Sequence, residues 1–290
     1  WDNNVCEGRK PIHADSRAED NYFRNVYCRV EGIVQVLEQA PINVTRGYVG
    51  QLETGGSRMP ITEPYWTQGL CPVNVHWHHG AEHLSVGEYD VAGTGPSAAA
   101  SGVREGFRCH KYTDLPAFTT EYEWKHCVDM QVGGTYEVHW PHSAAGACGT
   151  PDQYQTPFHD GMFCKGGIIA LDPLNMHQKI GIQAQVFTVI NDEGYYYPDL
   201  IRGMIVWEDM GADIAKYTGS TTDAEHSNTV CSRYTPFSWQ VDRRCHLISA
   251  SSFDKMCADM KAQPDDMTDD LRPHDARELV VDYLAANNLQ

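Results

Sequence analysis

Within the stretch Cys71–Asp90, the string His76–His83 (HWHHGAEH) holds four histidines, a glutamate and a tryptophan. His76 and His78 lie two apart, so on a strand their imidazoles leave one face, close enough to share an ion. A bound zinc takes three or four ligands, so the pair needs partners from elsewhere. His139, in GGTYEVHWPHS, is the strongest candidate. Asn74 falls on the face of His76 and His78, and Glu137 on the face of His139; each is placed to hold a ligand imidazole in one tautomer. Three neutral imidazoles leave a divalent ion its full charge. That favours loss of a proton from a bound water near neutral pH and yields a hydroxide nucleophile. The bland alternative is a set of histidines in partly buried hydrogen-bond networks beside aromatic residues.

These residues need strands to position them. Pro72–His78 alternates Val73, Val75 and Trp77 against Asn74, His76 and His78, the pattern of a half-buried strand. Thr135–Trp140 predicts a second strand with Glu137 and His139 on one face. Tyr27–Leu37, Gln39–Val44, Ile168–Leu171, Ile180–Ile190 and Ser238–Val241 supply further strand material, Ile180–Ile190 in a central position because it holds no proline. Asn191–Gly194 reads as a turn, and Leu200–Met210 as a short helix or strand. The acidic run Asp265–Asp270 precedes a predicted helix over Asp275–Leu289, with Asp275 as N-cap and Leu279, Val280, Tyr283 and Leu284 as its apolar stripe. The expected organisation is an N-terminal arm at 1–24, a β-rich catalytic domain at 25–260 with an insertion at about 84–134, and an acidic segment with a helix at 261–290.

Composition bounds the function. The 290 residues, 41% of them hydrophobic, suffice for a substantial core. A formal net charge of −17 without a basic stripe argues against nucleic acid as a partner. No apolar run is long enough to span a membrane. A start at Trp1 fits a processed mature chain or a trimmed piece alike. Ten scattered cysteines without a CxxC pair suggest disulfides and an oxidising compartment: secreted, cell-surface, periplasmic or organelle-lumenal. Buried free thiols are the alternative. Cys109, Cys127, Cys148 and Cys164 are close enough in sequence to cross-link the inserted region. Asn43-Val44-Thr45 is a glycosylation sequon.

Several ordered pieces resemble the alpha-type carbonic anhydrases. QAPINV at Gln39–Val44 is similar to that family's Gln-Ser-Pro-Ile segment, and VHWHHG at Val75–Gly80 to its strand with the first two zinc histidines. YEVHW at Tyr136–Trp140 resembles the strand carrying the third ligand. YTGSTT at Tyr217–Thr222 resembles the active-site loop with its double threonine, and WQV at Trp239–Val241 the strand that follows. The string HWHHGAEH, in an acidic cysteine-rich chain, looks most like the delta class. The resemblance implies a mainly β (α+β) single domain on a large, mostly antiparallel twisted sheet with short peripheral helices. It implies reversible hydration of carbon dioxide to bicarbonate, with carbon dioxide, bicarbonate and water as the partners. Zn2+ would be held by His76, His78 and His139, with Co2+ or Cd2+ as substitutes. Thr222 or Thr221 would be the gatekeeping threonine, Glu82 its proton acceptor, and Asn74 and Glu137 the partners of ligand histidines. The familiar Asn-Gly-His shuttle is replaced by Arg46-Gly47-Tyr48, which leaves proton export to His79, His142 or buffer. Glu82 also follows His78 by only four positions, closer than the alpha pattern has it, and His139 follows His78 by 61 positions.

Two alternatives stand beside this reading. His76-x-His78-x3-Glu82 with His139 also resembles the first metal motif of cupins, in which the glutamate is a ligand. A catalytically silent carbonic-anhydrase-like binding or surface protein would keep the histidines for structure alone.

Overall fold

The computed structural model describes residues 43–45, 60–97, 103–144, 178–219, 237–263 and 270–276. The described part is mostly β, with short helices. Its strands are β1 (Cys71–Pro72), β2 (His76–His79), β3 (Tyr89–Asp90), β4 (Arg108–Cys109), β5 (Thr135–Ser143), β6 (Ile180–Ile190), β7 (Ile214–Gly219) and β8 (Phe237–Ser249). The helices are α1 (Pro116–Thr119) and α2 (Ala250–Lys261).

The main sheet runs β1-β5-β6-β8-β7, with β2 also paired to β5. It is mixed: β6 and β8 run parallel, and the other pairings in it are antiparallel. Every residue of β5 is buried, and β6 is buried at all but one position. Two covered faces explain why Ile180–Ile190 reads as a nearly continuous apolar run rather than an alternating one.

The strand expected over Pro72–His78 is broken in two. Pro72 opposes His142 while His76 opposes His139, so Val73, Asn74 and Val75 face only Trp140 and Pro141. One residue is extra, which is a β-bulge on this strand. After the bulge the alternation resumes, and Val75 and Trp77 enter the core with Tyr136, Val138, Trp140, Phe187 and Phe253. The histidines leave from the opposite face.

That core is closed by α2, whose buried Ala250, Phe253, Cys257 and Met260 follow a helical spacing. Cys127 and Cys257 form a disulfide that fastens the loop before β5 to this helix. Asp254 on α2 accepts backbone N–H bonds from Lys125, His126 and Cys127 at 2.8–3.2 Å. A second disulfide joins Cys109 of β4 to Cys245 of β8. The expected cross-linking of Cys109 and Cys127 within the inserted region is therefore overturned. The insertion folds back over the sheet, so its cysteines meet β8 and α2 rather than one another. Cys71 is also disulfide-bonded.

Other expectations are adjusted. Leu200–Met210 contributes only a three-residue 3-10 turn, Leu200–Arg202. Asp275 lies in irregular chain beside β2, where His274 N–H donates to Trp77 C=O at 2.7 Å and His79 N–H to His274 C=O at 2.9 Å. Most of the helix predicted over 275–289, together with Tyr27–Leu37, Ile168–Leu171 and the arm at 1–24, lies outside the described residues.

Candidate metal centre

The site grows from one register. His76 and His139 are direct antiparallel partners across β2 and β5, so their side chains leave the same face. Their ring centroids are 5.2 Å apart. His78, two residues on, brings its ring to 5.1 Å from His76 and 4.7 Å from His139. Three imidazoles from two strands therefore converge in a buried corner.

The chain then turns back on the cluster. Gly80 has φ +73°, and a Cβ there would lie 2.7 Å from the backbone of Gly106. Only glycine fits this left-handed, tightly covered position. The turn carries Glu82 over the histidines, with Oε1 3.3 Å from His78 Nδ1 and Oε2 3.9 Å from His139 Nε2. Glu82 is 3% exposed, and its backbone N–H donates to Glu137 Oε2 at 2.5 Å.

Acceptors hold the rings from behind. Asn74 Oδ1 lies 2.7 Å from His76 Nδ1. The Asp275 carbonyl lies 3.0 Å from His78 Nδ1. Beside His139 stands Glu137, fully buried, with Oε2 3.6 Å from the same Nε2 that Glu82 approaches and Oε1 2.6 Å from His83 Nδ1. His83 Nε2 in turn meets the Tyr217 hydroxyl at 2.5 Å. One neutral tautomer of His83 satisfies both contacts: its Nδ1–H donates to Glu137, and its Nε2 accepts from Tyr217. Burial pushes the Glu137 carboxyl up, but His83 and His139 outweigh it and hold the group well below the usual carboxylate range. Burial also lowers His78 to about 4, with Glu82 pulling the other way. His78 is thus neutral at physiological pH, as a ligand must be.

His274 was not singled out by the sequence, and it belongs to this cluster. Its ring stacks on His76 at 5.2 Å and 14° and stands 5.5 Å from His78. Burial lowers its affinity for a proton, but Asp270 reverses the balance and raises it, with Oδ1 2.6 Å from Nε2. His83 and Tyr217 were likewise not assigned roles. An Asp270-x3-His274 pair was a faint local signal; the pairing of His83 with Tyr217, 134 residues away, has none.

Sequence-predicted residues divide accordingly. Asn74, His76, His78, Glu82, Glu137 and His139 come together. His79 and His142, the expected proton carriers, do not join them: His79 packs on Tyr136 and His142 on Tyr65, both toward the other face. Both are buried, and burial lowers both, His142 to about 4. Val138, one residue from His139 on the strand, points to the opposite face and lies in the core. The apolar neighbour of His139 is Trp239, edge-on at 5.7 Å. Thr221 and Thr222 lie outside the described residues.

The donors fit a divalent metal ion. Ligand atoms of His78, Glu82 and His139 lie within 4.8 Å of one another, as do those of His76, His78 and His274, and of His83, Glu137 and His139. His139 Nε2 is buried without a hydrogen-bond partner, a costly arrangement for a polar atom unless something else sits in the site.

A buried imidazole cluster with carboxylates behind it, on one face of a mixed β-sheet, defines a candidate metal-binding protein of the β-rich class. The family model for delta carbonic anhydrase matches residues 67–252, and the chain belongs to that family. Neither a curated protein nor a solved structure matches it. Membership implies carbonic anhydrase activity, with carbon dioxide, water and bicarbonate as reactants. The two disulfides between described cysteines fit an oxidising compartment, and no described helix is long and apolar enough to cross a membrane.

Proposed function

We propose that this chain is a zinc-dependent enzyme that reversibly hydrates carbon dioxide to bicarbonate and a proton, with His76, His78 and His139 holding the ion. The observation that carries this is the direct pairing of His76 with His139, with the His78 ring closing the triangle. When bound, zinc supplies Lewis acidity, which makes water acidic near neutral pH. Asn74 and the Asp275 carbonyl hold His76 and His78 in one tautomer. Glu137 stands beside His139 on its Nε2 side and is itself steadied by His83 and the Glu82 backbone. Glu82, its carboxylate 3.3 Å from His78 and 3.9 Å from His139, is the acceptor for the hydroxyl hydrogen bond of Thr222 or Thr221, as in the alpha type. Trp239 beside His139 offers the apolar surface that carbon dioxide requires. The sheet would correspond to that of the alpha type, and the enzyme would work in a secreted or lumenal setting; the exposed Asn43 of its sequon suits glycosylation.

A second reading has its own support: the closeness of Glu82 to His78 and His139 suits a cupin-like site in which the glutamate is a ligand. One experiment separates the readings. Metal content and carbon dioxide hydration are measured on the wild type and on His76→Ala, His139→Ala and Glu82→Gln. Loss of metal and turnover in both histidine variants, with metal retained in Glu82→Gln, is expected. Undiminished metal and hydration in His76→Ala and His139→Ala would sink the triad. Metal loss in Glu82→Gln favours the cupin-like site, and metal without turnover in the wild type favours a silent binding protein.

A further inference from the structure

We infer that His274 is a metal ligand of this chain, so that the segment Asp270–Ala276 closes the centre from outside the sheet and is held there by the ion. This rests on the proposed metal site and extends it to a residue that the strand motifs do not contain.

The placement is set by backbone, not by the ring alone. The segment pairs with the outer edge of β2 through His274 N–H to Trp77 C=O at 2.7 Å and His79 N–H to His274 C=O at 2.9 Å. Its carbonyl at Asp275 also reaches His78 Nδ1 at 3.0 Å. The ring thereby lands on His76 at 5.2 Å. The ligand atoms of His76, His78 and His274 lie within 4.8 Å of one another.

The outer contacts of these rings share one pattern. His76 gives Nδ1 to Asn74 Oδ1, His78 gives Nδ1 to the Asp275 carbonyl, and His274 gives Nε2 to Asp270 Oδ1 at 2.6 Å. An acceptor on one ring nitrogen places the proton there and the lone pair on the other, the arrangement that metal-ligating histidines show. For His274 the ligating nitrogen is then Nδ1. A carboxylate behind an imidazole also raises its basicity as a ligand. A buried histidine needs no such carboxylate merely to fill space.

Two consequences are measurable on the full-length chain with Zn2+ or Co2+ as the probe. First, His274→Ala weakens Zn2+ binding, read by chelator competition, by more than the 10–100-fold (an order-of-magnitude range) that losing an outer partner of a ligand costs, and it alters the visible spectrum of the Co2+-loaded protein. Asp270→Asn, which keeps the ring, loses on the order of 10-fold. Second, Zn2+ slows amide exchange over 270–276 in the wild type and not in His274→Ala. Unaltered Zn2+ affinity and Co2+ spectrum in His274→Ala, with exchange over 270–276 indifferent to Zn2+, would overturn the inference. His274→Gln serves if the alanine variant does not fold. His139→Ala is measured alongside. Metal lost there but kept in His274→Ala refutes the role of His274 and leaves the proposed triad standing. The reverse supports His274 and refutes the triad.

Discussion

His142 provides a test in which the magnitude follows from the fold. It sits on β5, 6% exposed, packed on Tyr65, with Nδ1 donating to the Trp140 carbonyl at 2.7 Å. Burial lowers its pKa from 6.5 to about 4, partly offset by that bond. The unfolded chain therefore binds a proton between those limits that the folded chain refuses. The sign follows: this contribution is fully present above 6.5 and is lost as pH falls toward 4. At about 1.36 kcal/mol per pH unit the whole interval is worth on the order of 3 kcal/mol, of which about 2 kcal/mol is gone by pH 5. Gln in place of His keeps an N–H donor and removes the titration. Urea unfolding of metal-free wild type and His142→Gln at pH 7.5 and 5.0 reads the difference, since the other histidines titrate alike in both. The wild type should lose about 2 kcal/mol more than the variant over that range. Equal losses would refute the burial argument and reopen His142 as a residue that takes up protons near neutrality.

Three further outcomes are expected. Asn74→Ala removes the acceptor from His76 Nδ1 and should weaken Zn2+ binding roughly 10–100-fold in chelator competition while leaving the circular dichroism spectrum unaltered. The double variant Cys127→Ser/Cys257→Ser removes a cross-link spanning 130 residues and should cost about 2–5 kcal/mol in urea unfolding. Gly181→Ala would place a Cβ 2.3 Å from the buried Tyr65 ring, whose hydroxyl donates to Ser238 C=O at 2.9 Å; displacing that ring should cost about 1–3 kcal/mol in the same assay.

The parts of this site that were legible in the sequence are those governed by short-range periodicity. Two residues on a strand share a face, so His76 with His78, and Glu137 with His139, were paired correctly on their own strands. The partnership between the strands was a matter of register, and no local signal sets register across the 61 positions from His78 to His139. The bulge at 73–75 was hidden because Val73, Asn74 and Val75 continue an alternation that the backbone does not follow. Helix α2 carried a readable spacing at Ala250, Phe253, Cys257 and Met260, but Ser251, Ser252, Asp254 and Asp259 dilute it. Cysteine pairing failed as a local inference because the insertion crosses the sheet before its thiols meet partners. Beyond the faint Asp270-x3-His274 spacing, nothing local tied His274 to the histidines of β2: a loop that pairs with a strand edge from 196 residues away leaves no periodic mark.

The edge position explains how so many polar groups can be buried together here. β2 is four residues long and has β5 on one side; on the other, backbone contacts come from His274 and, at the end of the strand, from Gly106 N–H to the His79 carbonyl. A central strand buries both faces against side chains, and β5 and β6 do so. A short edge strand instead offers carbonyls and N–H groups to whatever closes it, and that closing segment brings His274 and the Asp275 carbonyl to the rings of His76 and His78. The apolar side of β2 is tied down by Trp77, its Nε1–H directed to Met130 Sδ at 3.1 Å and its ring against Phe253. The core thus fixes where the histidine face points, while the edge decides what completes it. A cluster built this way draws its rigidity from the sheet and its donor count from the segment that covers the edge.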